Sequence, residues 1–517
     1  MSATSPPAPT PRSLRPRRRI AGRDPGAPFA VGERSAVRRD GDITARTALL
    51  MLVGLVALAA AVRFAVPRGL WLDEAISVNQ ARLSPGALVQ QLAQGDRHPP
   101  LHHLILWGTT RLLGEGDLAV RVPSIIAGIM LVPVVYALAA ELHDRRTGVV
   151  AALFATLAPV LVWYSQEARG YELVSLFGAA LVLAAVRALR RGGWTDWLGV
   201  AVAGALGLWT HWFFGLLLAA IYGLLLAALV GRLRARRPVR DDVVRLAVAT
   251  LVLATQLVPL AMLAAAQIQS TGTGGGFAGA DGGGGGLSLY GVMANASWAV
   301  WGFHAQRVTD LGSAIWPLLM LGTLLALGRG LSRPTAVLMW CALAPVVALG
   351  VLAAFNPQLF EIRYAMAVVP LVMVLLARIA VGAARNAAAR RLLVGAIALS
   401  LAVGLADQQL NPANARRYDN REALGAVRAQ LRPGDVVLYE PAELRYVLDR
   451  YAPDLPARPL EGTLPRRREA RRVFVLASFL DQDRYRGVVD RQLGALRYAR
   501  QAPVRRHFSG VDVWRFG

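Results

Sequence analysis

The sequence predicts a polytopic α-helical membrane protein with about eleven transmembrane helices and a small soluble α/β domain at its C-terminal end. Of its 517 residues, 55% are hydrophobic and 17% are charged, and the mean hydropathy is +0.42. Such values lie outside the range of soluble globular proteins. Apolar runs follow one another from residue 47 to residue 406, most of them near the roughly 20 residues that cross a bilayer as a helix.

Residues 1–46 precede the first apolar run. They contain ten Arg and four acidic residues, with seven Pro before position 30, and lack the short apolar core of a cleavable signal peptide. Such a composition cannot bury enough apolar surface to fold. We predict a disordered cytoplasmic tail.

The apolar runs define the membrane domain, 47–407. We expect the first to cross outward and the others to alternate in direction. The predicted spans are 47–62, 121–140, 147–164, 170–186, 194–209, 211–230, 246–266, 311–328, 335–354, 364–381 and 392–406.

The distribution of arginine gives the expected orientation. Every basic residue is Arg, and with a cytoplasmic N-terminus the Arg-rich loops fall on the inner side throughout, for example six Arg in 231–245. We therefore attribute the net charge of +24 to topology and predict no nucleic-acid partner. The outer side then carries loops 67–120 and 267–310, the turns 165–169 and 355–363, and the C-terminal domain. This arrangement predicts a multi-pass protein of the cell membrane.

Two segments of the predicted membrane domain admit more than one interpretation. The uncharged run 197–231 is divided into two spans by a predicted turn at Thr210, His211 and Trp212, because a single span would invert every later loop. Residues 272–286 contain ten Gly, which is typical of a flexible spacer or of a mobile lid. We favour a spacer.

Residues 408–517 are polar and carry alternating secondary-structure signals. A helix-like stretch, 423–431, precedes Gly434-Asp435 and the apolar VVLY at 436–439, and a second β-like run follows at 472–479. We predict a small extracytoplasmic α/β domain that packs against the outer loops.

The sequence LWLDEA at 70–75 places two acids where the chain leaves the first span. A carboxylate of Asp73 or Glu74 could act as a general base on a hydroxyl group. Adjacent acids on an exposed loop are more commonly just solvated. Trp71 and Leu72, however, are expected to hold the segment at the membrane interface, so that the acids lie along the membrane surface.

The sequence HPPLHHL at 98–104 predicts an amphipathic helix over 101–113, because Pro presets the first helical turn. The spacing of His98 and His102 permits shared metal ligation if both are helical. Pro99 and Pro100 make that unfavourable, so a capping or hydrogen-bonding role is expected for His98.

Arginine occurs at two further outer positions. Arg169 ends the polar turn SQEAR at 165–169, before Glu172, and Arg363-Tyr364 enters a late span. A planar guanidinium suits binding of a lipid-linked phosphate. Alternatively, a short polar turn needs no function, and either arginine could simply extend to the interface.

The order of these motifs resembles a known family. WLDEA, HPPL, RVPS, YSQEARGYE, the Thr-His-Trp turn and RYAMAVVPL are similar to the lipid-dependent membrane glycosyltransferases of the GT-C superfamily, specifically the protein mannosyltransferase and aminoarabinose transferase-like family thirty-nine. The resemblance is strong from about 47 to 230, weaker to 381 and vague thereafter. It implies a GT-C type fold and makes 47–407 the catalytic domain.

The resemblance also implies an activity and a site. Such enzymes take a sugar from a polyprenyl phosphate carrier at the outer face and pass it, with inversion, to a hydroxyl of a glycan, lipid or protein acceptor. Asp73 would be the general base or the group that orients the acceptor, with Glu74 beside it. The residues expected to bind substrate are His98, Gln166, Glu167, Arg169, Tyr171, His211, Arg363 and Tyr364.

No cofactor is predicted. Asp73, Glu74 and His98 could hold a divalent ion, but the resemblance implies catalysis without one. A phosphate leaving group stabilised by arginines needs no phosphate-binding glycine loop, and none occurs in the spans.

Two alternatives remain open from the sequence. A transporter would place ionisable groups near the membrane midplane, whereas these span interiors are almost free of charge. A non-catalytic lipid-binding assembly protein of the envelope also fits the composition.

Overall fold

The structure is a computed structural model that describes residues 43–65, 68–95, 98–271, 289–302, 332–356, 359–383, 386–411, 418–462, 464–465, 469–480, 483–499 and 502–517. Nearly all of the predicted tail 1–46, the predicted span 311–328 and the glycine segment 272–286 lie outside the described residues.

Each predicted span within the described residues corresponds to a helix or to a broken pair of helices. These elements are α1 (Ala45–Phe64), α5 (Val122–Leu142), α6 (Arg145–Leu157), α7 (Pro159–Ser165), α8 (Tyr171–Arg191), α9 (Trp194–Thr210), α10 (Phe214–Arg234), α11 (Arg240–Thr271), α13 (Arg333–Phe355), α14 (Val369–Ala383) and α15 (Ala387–Leu410). The run 197–231 is divided between α9 and α10 at His211, as expected.

Seven of the described helices are long and apolar enough to cross a membrane, and an eighth crossing results if the broken pair α6 and α7 forms one span. The other two, α9 and α14, are shorter, at 17 and 15 residues. The protein is therefore polytopic, while the total of eleven crossings stays a prediction.

The break between α6 and α7 is supported by a buried arginine. The two helices meet at 58°, at Ala158 before Pro159, where proline removes a backbone donor. Arg63 of α1 is fully buried and donates to the carbonyls of Ala155 and Thr156 and to Ser165 Oγ at 3.0–3.3 Å. It thus pairs carbonyls that the broken helix leaves open, as backbone at membrane depth requires.

Among the described residues, four further helices accompany the membrane spans: α2 (Leu72–Ala81), α3 (Pro85–Gly95), α4 (Leu101–Leu113) and α12 (Leu289–Trp301). The bounds of α4 are those expected from the paired prolines, with Pro100 at its N-cap. A 3₁₀ turn over Ala119–Arg121 then leads into α5.

The C-terminal domain is the predicted small α/β domain. It contains α16 (Asn420–Arg428), β1 (Val436–Glu440), α17 (Arg445–Tyr451), β2 (Ala457–Pro459), β3 (Val473–Ser478), α18 (Asp483–Ala499), β4 (Val504–Phe508) and β5 (Val511–Phe516). The strand order is β2-β1-β3-β5-β4, with β1, β2 and β3 parallel and β4 and β5 antiparallel.

One face of this sheet packs on α18 and the other on α16 and α17. The second core also takes in Leu72 and Ala75 of α2. Consequently α2 belongs to the hydrophobic core of the C-terminal domain and also contacts α4 of the membrane domain.

The close packing around Arg63 predicts an effect of a single methyl group. A Cβ at Gly128 of α5 would overlap Ser165 Oγ and Arg63 Nε. Gly128→Ala should therefore destabilise the protein by about 1–3 kcal/mol, the usual cost of overpacking. Gly54→Ala in α1, where a Cβ meets no atom within 4 Å, should be neutral or stabilising. Thermal unfolding of both variants in detergent checks this, and equal effects would contradict it.

Candidate functional site

Helix α2 begins immediately before the two predicted acids. The backbone N–H of Trp71 donates to Glu74 Oε2 at 3.1 Å, which closes the first turn. Asp73 and Glu74 are consecutive in a helix, so their side chains lie about 100° apart and meet different surroundings.

Glu74 points into the protein and is fully buried. Arg121 donates to both of its oxygens, from Nε to Oε1 at 2.7 Å and from Nη2 to Oε2 at 2.6 Å, and the Ala168 N–H donates to Oε1 at 2.8 Å. Burial alone would raise the pKa of Glu74, but Arg121, Arg68 and the Ala168 N–H together more than offset this, and the pKa lies below its ordinary value. This carboxylate is fully engaged in holding α2, which favours a structural role beside Asp73 over catalysis.

Asp73 faces a different environment. Its side chain is half-buried, and within the described part of the chain its carboxylate has no hydrogen-bond or ion-pair partner. Ser77 lies one turn further along the same face of α2 and donates to the Asp73 carbonyl at 2.9 Å. Arg169 Nη1 donates to Ser77 Oγ at 3.0 Å. The two predicted residues Asp73 and Arg169 are thereby brought to the same face of this helix.

Arg169 also reaches the histidine of the HPPL motif. It is buried, and its Nη2 donates to His98 Nε2 at 3.0 Å, which fixes the acceptor tautomer of that ring. The His98 ring lies 5.9 Å from that of His211, which in turn lies 5.9 Å from Tyr171. These four predicted residues thus form one cluster. It lines a small cleft together with Pro99, His102, His103, Gly170 and Thr210.

Two histidines of this cleft, His211 and His102, are electrically neutral at ordinary pH. Burial, followed by the neighbouring His98, Arg169 and Arg363, lowers the pKa of His211 well below its usual range. Burial and the nearby His103, Arg169 and His98 do the same to His102. Neither of these two rings therefore adds to the positive charge that Arg169 brings to the cleft.

Arg363 and Tyr364 close the far side of the cluster. They lie in a 3₁₀ turn, Ile362–Ala365, which Asn295 holds by accepting from the Ile362 N–H at 2.7 Å. The Tyr364 ring lies 5.8 Å from His211, and Arg363 forms an ion pair with Glu361. Burial raises the pKa of the Tyr364 phenol to about 12, so it keeps its proton.

Gln166 and Glu167 of the predicted site lie below the cleft, in the turn that carries Arg169. Gln166 is buried and donates to the carbonyls of Val62 and Ala65 at 3.0 and 3.2 Å. Both contacts tie the turn to the end of α1. The geometry favours a supporting role for Gln166 over substrate contact.

Glu167 is also buried, with Trp163 Nε1 donating to its Oε1 at 2.7 Å and Arg68 Nη2 at 3.6 Å from that oxygen. Its Oε2 has no hydrogen-bond partner among the described residues. Burial raises the pKa of Glu167 to about 7 in spite of the Arg68 charge. Among the carboxyl groups near the cleft it is suited to hold a proton at neutral pH.

The described residues contain no group of three or more His, Cys, Asp or Glu side chains arranged to hold a metal ion. Glu74 is occupied by Arg121, and His98 Nε2 is occupied by Arg169, so two of the three side chains considered as ligands are already engaged.

Several residues of the site were missed by sequence reasoning. Ser77 could have been found from its position one turn after Asp73. Arg121 was visible only as part of the RVPS motif. Gln267 of α11 is buried and donates to the carbonyls of Leu92 and His98 at 3.0 and 3.3 Å, while its Oε1 accepts from Trp212 Nε1 at 3.2 Å. Nothing in the sequence near Gln267 indicates that it joins the two histidine-bearing segments.

This arrangement of helices corresponds to a known class. The structure of ArnT from Cupriavidus metallidurans bound to undecaprenyl phosphate is similar to the chain, with a TM-score of 0.51 and 13% identity over 91% of this chain and 98% of that chain. The GT-C type fold predicted from the sequence is thereby confirmed.

Within that class, residues 97–261 match the family model of dolichyl-phosphate-mannose-protein mannosyltransferase. This stretch includes His98, Arg169, Tyr171 and His211. Apo ArnT from the same organism matches with a TM-score of 0.48 and 15% identity over 91% of this chain and 98% of that chain. The oligosaccharyltransferase AglB from Archaeoglobus fulgidus, in complex with an inhibitory peptide and a dolichol-phosphate, matches with a TM-score of 0.44 and 12% identity over 86% of this chain and 70% of that chain. No curated protein matches the chain by sequence.

The buried pair of Glu74 and Arg121 predicts a large loss of stability on neutralisation. Glu74→Gln leaves the Arg121 charge buried without its partner, which should cost about 3–5 kcal/mol. The matched control is Glu115→Gln, which breaks the half-exposed Arg82–Glu115 pair and should cost less than about 1 kcal/mol. Denaturant or thermal unfolding in detergent compares them. Equal losses would show that the buried pair is not a structural requirement.

Glu167 predicts a pH dependence of stability. The unfolded carboxyl, with a pKa near 4.5, loses its proton before the folded one at about 7, so this group destabilises the fold progressively between those pH values. Glu167→Gln removes that effect. The melting temperature of the variant minus that of wild type should therefore rise as the pH increases from about 5 to about 7.5.

The Glu115→Gln variant is again the control, because hydrogen bonding to Arg82 lowers the pKa of Glu115 and this residue should not titrate in that range. A constant difference between Glu167→Gln and wild type across the range would contradict the raised pKa.

Proposed function

We propose that the protein is an inverting glycosyltransferase that moves a hexosyl or pentosyl group from a polyprenyl phosphate carrier to a hydroxyl of a cell-envelope glycan, lipid or protein. The observation that carries the proposal is the half-buried Asp73 carboxylate, which lacks a protein partner among the described residues and shares a helix face with the residue that binds Arg169. A carboxylate without a partner beside a bound guanidinium provides a base and a phosphate ligand together.

The proposed step is a single displacement. The acceptor oxygen attacks the anomeric carbon, the bond from that carbon to the phosphate oxygen breaks, and the phosphate leaves with the bonding electron pair. Asp73 takes the proton of the acceptor hydroxyl. Attack opposite the leaving group inverts the configuration at the anomeric carbon.

In this proposal two arginines stabilise the phosphate leaving group. Arg169 and Arg363 border the neutral His211 from two sides, so they would stabilise negative charge that develops on the departing phosphate. Hydrogen bonding to His98 orients Arg169 before substrate arrives. In this proposal Tyr171 and Tyr364 contact the sugar or the phosphate. A divalent metal is not part of the proposal.

The orientation forms part of the same proposal. The 1–46 tail lies in the cytoplasm, 47–407 is the catalytic membrane domain with outer loops 67–120 and 267–310, and 408–517 is extracytoplasmic. The site then opens at the outer face of the cell membrane, among membrane lipids. ArnT of Cupriavidus metallidurans, which has the same fold and binds undecaprenyl phosphate, supports the carrier class.

The test uses the purified protein in detergent with radiolabelled polyprenyl phosphate mannose, arabinose, galactose and glucose, and follows transfer or hydrolysis. We expect turnover with one of these donors. Asp73→Asn should lower turnover at least roughly 100-fold, because it removes the base, while donor binding persists.

Asp454→Asn, which breaks an exposed ion pair in the C-terminal domain, is the control and should turn over like wild type. Arg169→Gln should instead weaken donor binding. Folded wild-type protein that neither binds nor turns over any of the four donors would overturn the proposal in favour of a transporter or an assembly protein.

A further inference from the structure

The backbone just before α2 is held by both domains. Arg121 of the membrane domain donates to the carbonyls of Arg68 and Gly69, each at 2.9 Å. The next residue, Leu70, is fully buried and is held by the C-terminal domain. The chain is therefore fixed from two sides three residues before Asp73.

Tyr451 of α17 makes the main contact from the C-terminal domain. Its hydroxyl accepts from the Leu70 N–H at 2.7 Å and donates to Asp117 Oδ2 at 2.8 Å. Burial raises the pKa of this phenol to about 12, so the hydroxyl keeps the proton that it donates. Asn420 of α16 donates to the Leu70 carbonyl at 3.3 Å. Both backbone polar groups of Leu70 are thus paired by one domain.

Asp117 connects this contact to the other half of the site. It lies four residues before Arg121 and also forms an ion pair with Arg450 at 2.8 Å. The segment from Asp117 to Arg121 therefore contacts the C-terminal domain through Asp117 and contacts Glu74 through Arg121.

Apolar packing adds to these hydrogen bonds. Leu72 and Ala75 of α2 lie in the hydrophobic core of the C-terminal domain. The Trp71 ring stacks on Tyr418 at 5.7 Å between ring centroids, with 16° between the planes. A Cβ at Gly69 would lie 3.0 Å from Arg421 Cβ and 3.3 Å from Tyr451 Oη, so the domain comes as close as a glycine allows.

We propose that the C-terminal domain positions Asp73, with Tyr451 and Asn420 as positioning residues that hold the start of α2. This proposal rests on the proposed function, in which Asp73 is the base. The domain is accordingly a fixed part of the active site, and contacts from both domains are needed to place the Asp73 carboxylate. Donor binding at Arg169 and Arg363 does not depend on Tyr451.

Tyr451→Phe tests the proposal in the full-length protein, because it removes both hydrogen bonds of the hydroxyl and keeps the ring. We expect kcat to fall at least roughly ten-fold, since small displacements of a catalytic group have large effects on rate. The KM for the donor should stay within about two-fold of wild type. Arg428→Ala, which removes an exposed ion pair with Asp454 in the same domain, should change neither parameter.

Hydrogen exchange provides a measurement that needs no activity. Amides of residues 68–76 should exchange faster in Tyr451→Phe than in wild type or Arg428→Ala, because the Leu70 N–H loses its acceptor. Gly69→Ala is a second variant that removes no hydrogen-bonding group but crowds Arg421 and Tyr451. It should give the same fall in kcat and the same faster exchange.

Two results would overturn the proposal. Unchanged exchange in both variants would show that the C-terminal domain does not hold α2, and faster exchange with full kcat would show that holding α2 does not position Asp73. Lack of turnover in wild type would instead contradict the proposed function, and the exchange data would then decide alone whether the C-terminal domain holds α2.

Discussion

The hydrogen bonds of the buried Arg121 guanidinium are the interaction on which the junction of the two domains depends. It is 1% exposed and has four acceptors within 3 Å: both Glu74 oxygens and the carbonyls of Arg68 and Gly69. A charge removed from water is tolerated only when it is paired and hydrogen-bonded in this way. Because those acceptors lie just before α2 and within its first turn, the hydrogen bonds of Arg121 also help to fix where α2 begins.

The requirement that polar groups out of water be paired distinguishes Asp73 from its neighbours. Near the cleft, Glu74, Gln166 and Arg169 all use their polar atoms on protein partners, as groups out of water must. The Asp73 carboxylate has none among the described residues, although it is half-buried and one position from a fully engaged acid. Leaving the Asp73 carboxylate without a protein partner costs little free energy only if water or a substrate hydroxyl completes its hydrogen bonds. An unpaired carboxylate on a fixed helix is therefore what the proposed base requires, whereas the acid beside it keeps that helix in place.

Much of the fold was predictable because it depends on local composition. Apolar length predicted the helices of the membrane domain within the described residues, and the paired prolines predicted the start of α4. The site was predictable in part: His98, Arg169, Tyr171 and His211 do form one cluster. The different environments of Asp73 and Glu74 were not, since adjacent acids look alike until the helix phase and Arg121 are known. Gln267 and Tyr451 act through partners more than 160 residues away, which no local pattern encodes.

Contacts of this long-range kind join the C-terminal domain to the start of α2. The core of the C-terminal domain includes Leu72 and Ala75, and its side chains pair both polar groups of Leu70. Removing the domain would expose that apolar face of α2 and leave two buried backbone groups without partners, each of which costs free energy. The stabilities of the two domains are therefore coupled through α2, which packs against both. Because α2 carries Asp73 on its remaining face, a change in how the domains pack must also change the position of the proposed base.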